Sequence, residues 1–239
     1  MKKFIYQDMI GFVELIDHMG QDLTIVNAAR VSFNKQKDSL DTKDEKLIQY
    51  LINHRHTSTF EHNTVTFGVK VPLFVRSQHM RHRTWKYNEI SNRYVEIGEK
   101  ESPPEFYLPN VFRTQHKSNR QSSNIDELIN PTILRNVDDG STSLTAADEI
   151  RQHCDSSIEL YHSLVSSGVC KEQARMVIPQ NLYTTYYATV DLHNLLHFIE
   201  LRTHEGAQWE IQVVAKAMLE ISRNLWPVAV QAFMDREKH

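Results

Sequence analysis

The strongest constraint on the fold is an alternating run of side chains that leads directly into a helix start. Between Thr64 and Val71, valine and phenylalanine alternate with threonine, glycine and lysine. A period of two predicts a β-strand with one buried face. Pro72 follows, and proline is well tolerated in the first turn of a helix, where its missing N–H leaves no partner unsatisfied. We therefore predict a strand followed at once by a helix, which together fix the position of the next residues.

The residues that follow this helix start are rich in groups that bind phosphate and planar rings. Arg81–Tyr94 contains three arginines, a lysine, a histidine and two tyrosines, with little aliphatic content. The planar charged fork of arginine binds phosphate oxygens in pairs and stacks on rings. Asn88 and Glu89 add hydrogen-bonding groups suited to a base edge or a sugar hydroxyl. The stretch predicts a site for a phosphorylated small molecule that contains a ring.

Composition indicates an ordinary globular protein. The chain has 239 residues, of which 40% are hydrophobic and 24% charged, and these values are typical of a folded domain. A formal net charge of -3 gives no basic field for nucleic acid or an anionic membrane. Cys154 and Cys170 are too few for a disulfide framework and indicate a reducing compartment. The sequence shows no signal-peptide pattern and no long apolar run. We expect one cytoplasmic domain over residues 1–239, without a nucleic-acid or membrane partner.

Further elements are predicted from caps and periodicity. The pattern Thr42-x-x-Glu45 is typical of a capping box and predicts a helix over about Lys43–His54. Thr145-x-x-Asp148 begins a long helix that ends at Gly168, with Cys154 on its apolar side. Residues 182–190 predict a strand. Asp191 begins a helix that we expect to continue as far as Ile211.

The segment from about residue 110 to 145 has a polar composition. It includes the run Lys117–Ser123, and it has few apolar residues in any regular pattern. Long segments of this kind are commonly functional lids or disordered loops. We predict a mobile polar loop.

Clustered histidines leave other functions open. His193 and His197 are four residues apart, which is the spacing of two metal ligands on one helix face. With one of His54, His56 or His62 they would form the site of a metal-dependent hydrolase. The residue after His193 is Asn194, so the glutamate of an HExxH site is missing, and the histidines are equally explained as core residues or as a polar connection.

Another functional class that the sequence leaves open is an RNA-binding module, in which the arginines of residues 81–93 bind phosphates. Its stacking platforms would be Trp85, Tyr87 and Tyr94.

One family accounts for several of these segments together. Arg81-His82-Arg83, followed after seven residues by Ser91, resembles the signature of flavin-dependent thymidylate synthases, the ThyX family. The match continues as Asn88-Glu89-x-Ser91-x-Arg93-Tyr94. Similar segments of the family resemble Ala28–Ser32, His56–His62, Lys117–Ser123, Arg175–Thr184, Asp191–Phe198 and Arg202–Ile211. Gly206 stands where histidine is usual in the family, with His204 two residues away as a substitute, and Lys86 stands where a small residue is frequent.

The resemblance implies a fold and an activity. The fold would be α+β, with a central, mostly antiparallel sheet and long helices. The activity would be the reductive methylation of dUMP to dTMP, with 5,10-methylenetetrahydrofolate as carbon donor, NADPH as reductant and FAD as bound cofactor. The assembly would be a homotetramer with shared active sites. Neither cysteine has basic neighbours that would activate a thiolate, which agrees with a route that uses no cysteine nucleophile.

The resemblance also implies roles for individual residues. Arg202 would be the catalytic residue that stabilises negative charge on the uracil ring, and no metal would be bound. The dUMP-binding residues would be Gln78, Arg81, Glu89, Ser91, Arg93, Arg175 and Arg202. The FAD-binding residues would be His56, Ser58, Arg81, His82, Arg83, Glu89, Asp191, His193 and His197.

Overall fold

The secondary structure is mixed, with long helices around a small central sheet. The computed structural model describes residues 1–98, 103–119, 122–137 and 140–236. The strands are β1 (Lys2–Phe4), β2 (Phe12–Met19), β3 (Thr64–Pro72), β4 (Lys86–Glu89), β5 (Phe112–Gln115), β6 (Ser123–Ile129), β7 (Thr132–Val137), β8 (Gly140–Thr145) and β9 (Tyr183–Asp191). The helices are α1 (Asp22–Arg30), α2 (Thr42–Asn53), α3 (Leu73–His79), α4 (Ala146–Ser166), α5 (Lys171–Ala174), α6 (Leu192–Thr203), α7 (Trp209–Leu225) and α8 (Pro227–Met234).

Five of the strands form one antiparallel sheet in the order β1-β2-β3-β9-β4. The predicted strand β3 lies at its centre, and Val65, Phe67, Val69 and Val71 are fully buried. The predicted strand is followed at once by a helix, α3, but Pro72 is the last residue of β3 and the N-cap of α3, one residue before the helical turn in which the sequence placed it. The α+β expectation with a central antiparallel sheet is therefore confirmed.

The strand β4 connects the polar stretch after α3 to the sheet. It pairs with β9, with Asn88 opposite Tyr187 and Glu89 opposite Tyr186. Because β9 continues directly into α6, the residues of β4 and those of α6 are held to one common strand. This pairing brings two distant parts of the sequence to one side of the molecule.

Two predicted helices differ from the structure, one in its N-terminal cap and one in its C-terminal end. The helix α2 begins at Thr42, but its N-cap is Asp41, whose carboxylate accepts hydrogen bonds from the N–H groups of Lys43 and Asp44. Asp41 is the better cap because a carboxylate is a stronger acceptor than a hydroxyl, so the predicted Thr42–Glu45 capping box is wrong. The helix α6 does not continue to Ile211, because residues 204–208 form a turn in which Gly206 N–H donates to His204 Nδ1 at 3.0 Å.

The segment predicted as a polar loop contains two β-hairpins. The strand β5 pairs with β6, and β7 pairs with β8. The expectation of loop structure is wrong for these residues, since backbone pairing needs no apolar side chains. The expectation that the segment is mobile stays a prediction. Arg120 and Gln121, in the middle of the Lys117–Ser123 run, lie outside the described residues.

Helices α1, α2, α6, α7 and α8 share the main hydrophobic core with the sheet. The buried ring of Trp226 donates from Nε1 to Asn63 Oδ1 at 3.1 Å. The buried carboxylate of Asp22 accepts from the N–H groups of Val228 and Ala229, at 3.0 and 2.9 Å, and so caps α8. Among the described residues, none of the helices is both long enough and apolar enough to cross a membrane.

Candidate active site

The turn after α3 is held in place by tyrosine side chains from β4 and β9. The hydroxyl of Tyr87 donates to the carbonyl oxygens of His79 at 2.8 Å and His82 at 3.2 Å, so it joins the two ends of the turn. His79 is fully buried, and its Nδ1 lies 2.8 Å from the hydroxyl of Tyr186 on β9. The pKa of His79 is lowered to about 3, mainly by burial and to a smaller extent by the charges of His82 and Arg202. The imidazole is therefore neutral and structural, and it holds the Arg81–Arg83 turn against the sheet.

Arg202 and His82 form the centre of the candidate site. Arg202 lies in the last turn of α6, and its Nε donates to His82 Nε2 at 3.0 Å. A guanidinium can only donate, so Nε2 of His82 is the nitrogen without a proton. The pKa of His82 is lowered to about 4, mainly by burial and to a smaller extent by the charges of Arg202 and His197. At neutral pH the pair is therefore a charged arginine beside a neutral histidine.

The region around this pair is strongly positive. The guanidinium nitrogen Nη2 of Arg202 lies 3.4 Å from the carbonyl oxygen of Gln78 at the end of α3. Burial lowers the pKa of Arg202, and the charge of Arg81 lowers it further. Arg81 itself is exposed. Two guanidinium groups that repel each other in this way favour an anion between or beside them.

A second group of predicted residues lines a cavity of about 510 Å³. Glu89, Ser91 and Arg175 are part of its lining, together with Arg76. The carboxylate of Glu89 accepts from the hydroxyl of Thr184 at 2.7 Å and lies 3.4 Å from Arg76 Nε. The cavity thus combines a fixed carboxylate with two arginines, which suits a nucleotide with a hydrogen-bonding ring and an anionic tail.

Arg93 lies outside the lining of this cavity. Its guanidinium forms an exposed ion pair with Glu172, at 2.9 Å, and Glu172 belongs to the cavity lining. The pair keeps a third arginine close to the opening that Arg175 lines.

The predicted flavin-site histidines are near a different cavity. His56, His193 and His197 line a space of about 370 Å³, with Arg55 and Arg236 at the same opening. Ser58 and Arg83 belong to the described residues and are exposed, but the lining of neither cavity includes them. Most of the predicted residues therefore belong to one of three neighbourhoods, which are the Arg202–His82 pair and these two cavities. Ser58, Arg83 and Asp191 belong to none of the three.

Asp191 has a local structural role. Its carboxylate accepts from the backbone and the side-chain amide of Asn194, at 2.9 and 2.8 Å, and so caps α6. Its contact with a cofactor stays a prediction.

The two departures from the family pattern have simple geometries. A Cβ atom added at Gly206 would lie 3.2 Å from His204 Nδ1, so the ring of His204 occupies the space next to position 206. His204 is exposed, and its ring lies next to the position of the Cβ atom of the histidine that is usual in the family at position 206. Lys86 is exposed on β4, opposite Thr189.

Sequence reasoning missed several residues of the site. Arg76 has no pattern that distinguishes it from a surface arginine. His79 was missed because its contacts with Tyr87 and Tyr186 join three separate elements. Gln208 and Glu210 were missed because their contacts depend on how α7 packs against α3. The sequence did offer one indication for Gln208 and Glu210, because both lie in the Arg202–Ile211 segment that resembles the family.

The described residues include no group of three or more His, Cys, Asp or Glu side chains arranged to hold a metal ion. The hydrolase alternative therefore has no geometric support in this part of the chain.

Comparisons with known proteins identify the family of this chain. Residues 14–228 match the family described as thymidylate synthase complementing protein. A flavin-dependent thymidylate synthase of Thermus thermophilus is 44% identical over 226 residues, which cover 93% of this chain and 75% of that protein. The enzyme of the same name from Thermotoga neapolitana is 40% identical, with coverage of 94% and 91%.

A solved structure shows the same fold. The UMP/dUMP methylase PolB of Streptomyces cacaoi, bound with 5-Br dUMP, superposes with a TM-score of 0.76 at 33% identity and covers 94% of both chains. A second structure of that protein, bound with 5-Br UMP, gives a TM-score of 0.73 at 34% identity, with coverage of 93% and 92%. The residues that match the family model extend from β2 into α8 and include every residue that the sequence analysis assigned to the site. This chain belongs to the thymidylate synthase complementing protein family, the family of the flavin-dependent thymidylate synthases.

Proposed function

We propose that this protein is a flavin-dependent thymidylate synthase that methylates dUMP to dTMP. The carbon donor is 5,10-methylenetetrahydrofolate, the reductant is NADPH, and FAD is the bound cofactor. The observation that supports this proposal most directly is the Arg202–His82 pair beside Gln78 and Arg81. A fixed positive charge beside a neutral imidazole suits the stabilisation of negative charge that a uracil ring gains during methylation.

The side chains present suit FAD. This cofactor is a diphosphate with two flat ring systems, so it needs cations and hydrogen-bonding groups around an open surface. Arg81 and Arg83 are exposed cations on the fixed turn, and His56, His193 and His197 surround the 370 Å³ cavity. Bound FAD would supply the hydride chemistry that amino-acid side chains lack. The protein then has to bind, orient and stabilise charge.

The dUMP-binding residues have complementary tasks. Arg93 and Arg175 supply charge for the phosphate, and Ser91 supplies a hydroxyl beside them. Glu89 offers a carboxylate whose orientation is set by Thr184. Arg202, held by His82 and the carbonyl of Gln78, stabilises charge on the ring. This division of tasks makes positioning and electrostatics the main contributions of the protein.

The cysteines fit a route without a thiolate nucleophile. Cys154 is buried and interacts with the amide of Asn181, and burial raises the pKa of its thiol. Cys170 is exposed, and its sulfur contacts Gln173. Neither thiol lies in the linings of the two site cavities. Two free thiols also fit the reducing interior of a cell, and we propose a cytoplasmic location.

We further propose that residues 1–239 form one domain and that four copies associate with shared active sites. Val31, within the matched Ala28–Ser32 segment, and Phe33, directly after it, support association because they are 72% and 75% exposed. Exposed apolar side chains of this kind are commonly covered by another subunit. The mass in solution, measured by light scattering after gel filtration, tests the tetramer.

The function is tested with purified, FAD-loaded protein. With dUMP, methylenetetrahydrofolate and NADPH we expect dTMP formation, and omission of any one component should stop it. A flavin absorption band that NADPH bleaches anaerobically should accompany activity. Because the Streptomyces methylase is named for UMP and dUMP, UMP is the matched competitor substrate. Flavin-loaded protein that forms no dTMP with every component present would overturn the proposal.

A further inference from the structure

A line of polar side chains connects α3 to the start of α7. Gln78 Nε2 donates to Gln208 Oε1, and Gln208 Nε2 donates to Glu210 Oε2 at 2.9 Å. Glu210 is the second residue of α7 and is only 4% exposed. A buried carboxylate is costly unless it is paired and hydrogen-bonded, so its surroundings need an explanation.

The carboxylate of Glu210 is held in one orientation. Its Oε1 accepts from the guanidinium of Arg113 on β5 at 2.6 Å, and the hydroxyl of Tyr107 lies at 3.5 Å. The guanidinium of Arg113 also lies 5.3 Å from the ring centre of Trp209, which keeps it in place. The position at the beginning of α7 adds the favourable end of a helix dipole. One carboxylate oxygen is therefore occupied by Arg113, and the other faces Gln208.

The chemistry of the three groups fixes their direction. An ionised carboxylate accepts hydrogen bonds and donates none. Gln208 must therefore present its NH₂ group to Glu210, which leaves its carbonyl oxygen for Gln78. Gln78 must in turn present its NH₂ group to Gln208. The carbonyl oxygen of Gln78 is then the acceptor that this side chain offers to a ligand.

We propose that Glu210 is a positioning residue of the nucleotide site, which sets the amide orientation of Gln78 through Gln208. The inference rests on the proposed function, because Gln78 is one of the residues assigned to dUMP. Glu210 touches no ligand in this scheme. Arg113 belongs to the β5–β6 hairpin, so this hairpin supplies the counter-charge that holds the carboxylate of Glu210 in place.

The first test is Glu210→Gln in the full-length, FAD-loaded protein. Glutamine has the same shape, but Arg113 can only donate and so takes its amide oxygen, which turns its NH₂ group towards Gln208. The amide directions of Gln208 and Gln78 are then reversed, and Gln78 offers a donor to the ligand in place of an acceptor. We expect KM for dUMP to rise about tenfold, with a smaller change in kcat and unchanged flavin content. Tyr107→Phe is the matched control, because it removes only the 3.5 Å contact with the same carboxylate, and its KM should equal that of the wild type.

A double variant separates positioning from a general structural effect. If Glu210 acts through Gln78, Glu210→Gln should add no further loss of affinity to Gln78→Leu. Additive effects, or a wild-type KM in Glu210→Gln, would overturn the proposal. Should Glu210→Gln fail to fold, Gln208→Leu breaks the same line while Arg113 and Glu210 stay paired, and it should reproduce the KM effect.

Direct binding of dUMP distinguishes this inference from the proposed function. Wild-type protein that binds dUMP, with Glu210→Gln and Gln208→Leu binding it equally well, would overturn the positioning role and leave the function intact. Wild-type protein that binds no dUMP would overturn both.

Discussion

The guanidinium of Arg202 donates from Nε to Nε2 of His82, at 3.0 Å, across 120 residues of sequence. Because His82 accepts this bond and is neutral, its proton is on Nδ1. The pair therefore has a fixed tautomer and a fixed charge. This relationship supplies both the electrostatics of the candidate site and part of its pH dependence.

Replacement of Arg202 should remove most of the activity. In Arg202→Lys the charge remains, but an ammonium cannot hold His82 and the carbonyl of Gln78 with one planar group. We expect the rate of dTMP formation to fall about 10²- to 10³-fold, in the range found for other electrostatic stabilisers of transition states. Single-turnover kinetics with bound dUMP measures this rate. Arg151→Gln, on the exposed face of α4, is the control, and wild-type chemistry in Arg202→Lys would exclude the assigned role.

Stability should fall as the pH is lowered from about 6.5 to 4. The folded-state pKa is about 3 for His79 and about 4 for His82, compared with 6.5 for an unperturbed histidine. The unfolded chain therefore binds more protons in this window, so acid favours unfolding. For the fully buried His79 alone, the free energy of unfolding should be about 2 kcal/mol lower at pH 5 than at pH 7.5.

Urea unfolding at several pH values measures this dependence. His79→Phe removes one titrating group, so its stability should fall less steeply with pH, although it also loses the bond with Tyr186. A pH dependence of His79→Phe that runs parallel to that of the wild type would show that His79 does not contribute. The carboxylate of Asp41, with a pKa of about 2, loses its contribution only at lower pH.

The cap of α8 should be important for stability and unimportant for catalysis. Asp22→Ala leaves the N–H groups of Val228 and Ala229 without their acceptor in a buried position. We expect a loss of about 2 kcal/mol in the free energy of unfolding, at the upper end of measured cap effects. Asp41→Ala removes the exposed cap of α2 and should cost about half as much. Equal losses in the two variants would mean that burial of the Asp22 cap adds nothing.

Arg93 should affect nucleotide binding more than stability. Its ion pair with Glu172 is half-exposed on both sides, and such pairs contribute less than about 1 kcal/mol. Arg93→Ala should therefore unfold at nearly the wild-type urea concentration, while KM for dUMP rises about tenfold or more. The wild-type KM should increase with salt, and that of the variant should increase less. An unchanged KM in Arg93→Ala would remove this residue from the phosphate site.

Gly206→His should fold and should bind FAD more tightly. The nearest obstacle to a side chain at this position is the ring of His204, which is exposed and can turn aside. We expect FAD affinity to rise several-fold, as measured by quenching of FAD fluorescence. His204→Ala is the companion variant and should weaken FAD binding. The opposite order of affinities would show that neither histidine position faces the cofactor.

Local patterns predicted the elements that present the site. The period of two in β3, the proline before α3 and the start of α6 at Asp191 are all properties of neighbouring residues. The hairpins of β5 to β8 were missed because β6 has mostly exposed side chains, so its strand is stabilised by backbone pairing that leaves no hydrophobic period.

The contacts within the site were beyond local patterns. The family signature predicted that Arg202 and His82 both belong to the site, but their hydrogen bond follows from the pairing of β4 and β9. The link from Gln78 through Gln208 to Glu210 depends on how α7 packs. Side-chain direction in such a link is a tertiary property, and sequence spacing does not contain it.

The position of β9 in the sheet has a consequence for biosynthesis. The central strand β3 has β2 on one side, but its other neighbour emerges from the ribosome only with residues 183–191. Closing so long a loop is slow, and it precedes every contact between the Arg81–Arg83 turn and α6. A nascent or truncated chain that ends before α6 therefore exposes the arginine-rich turn without the partners that define its chemistry. Any ligand site that needs Arg202 beside His82 can therefore form only after α6 has been synthesised.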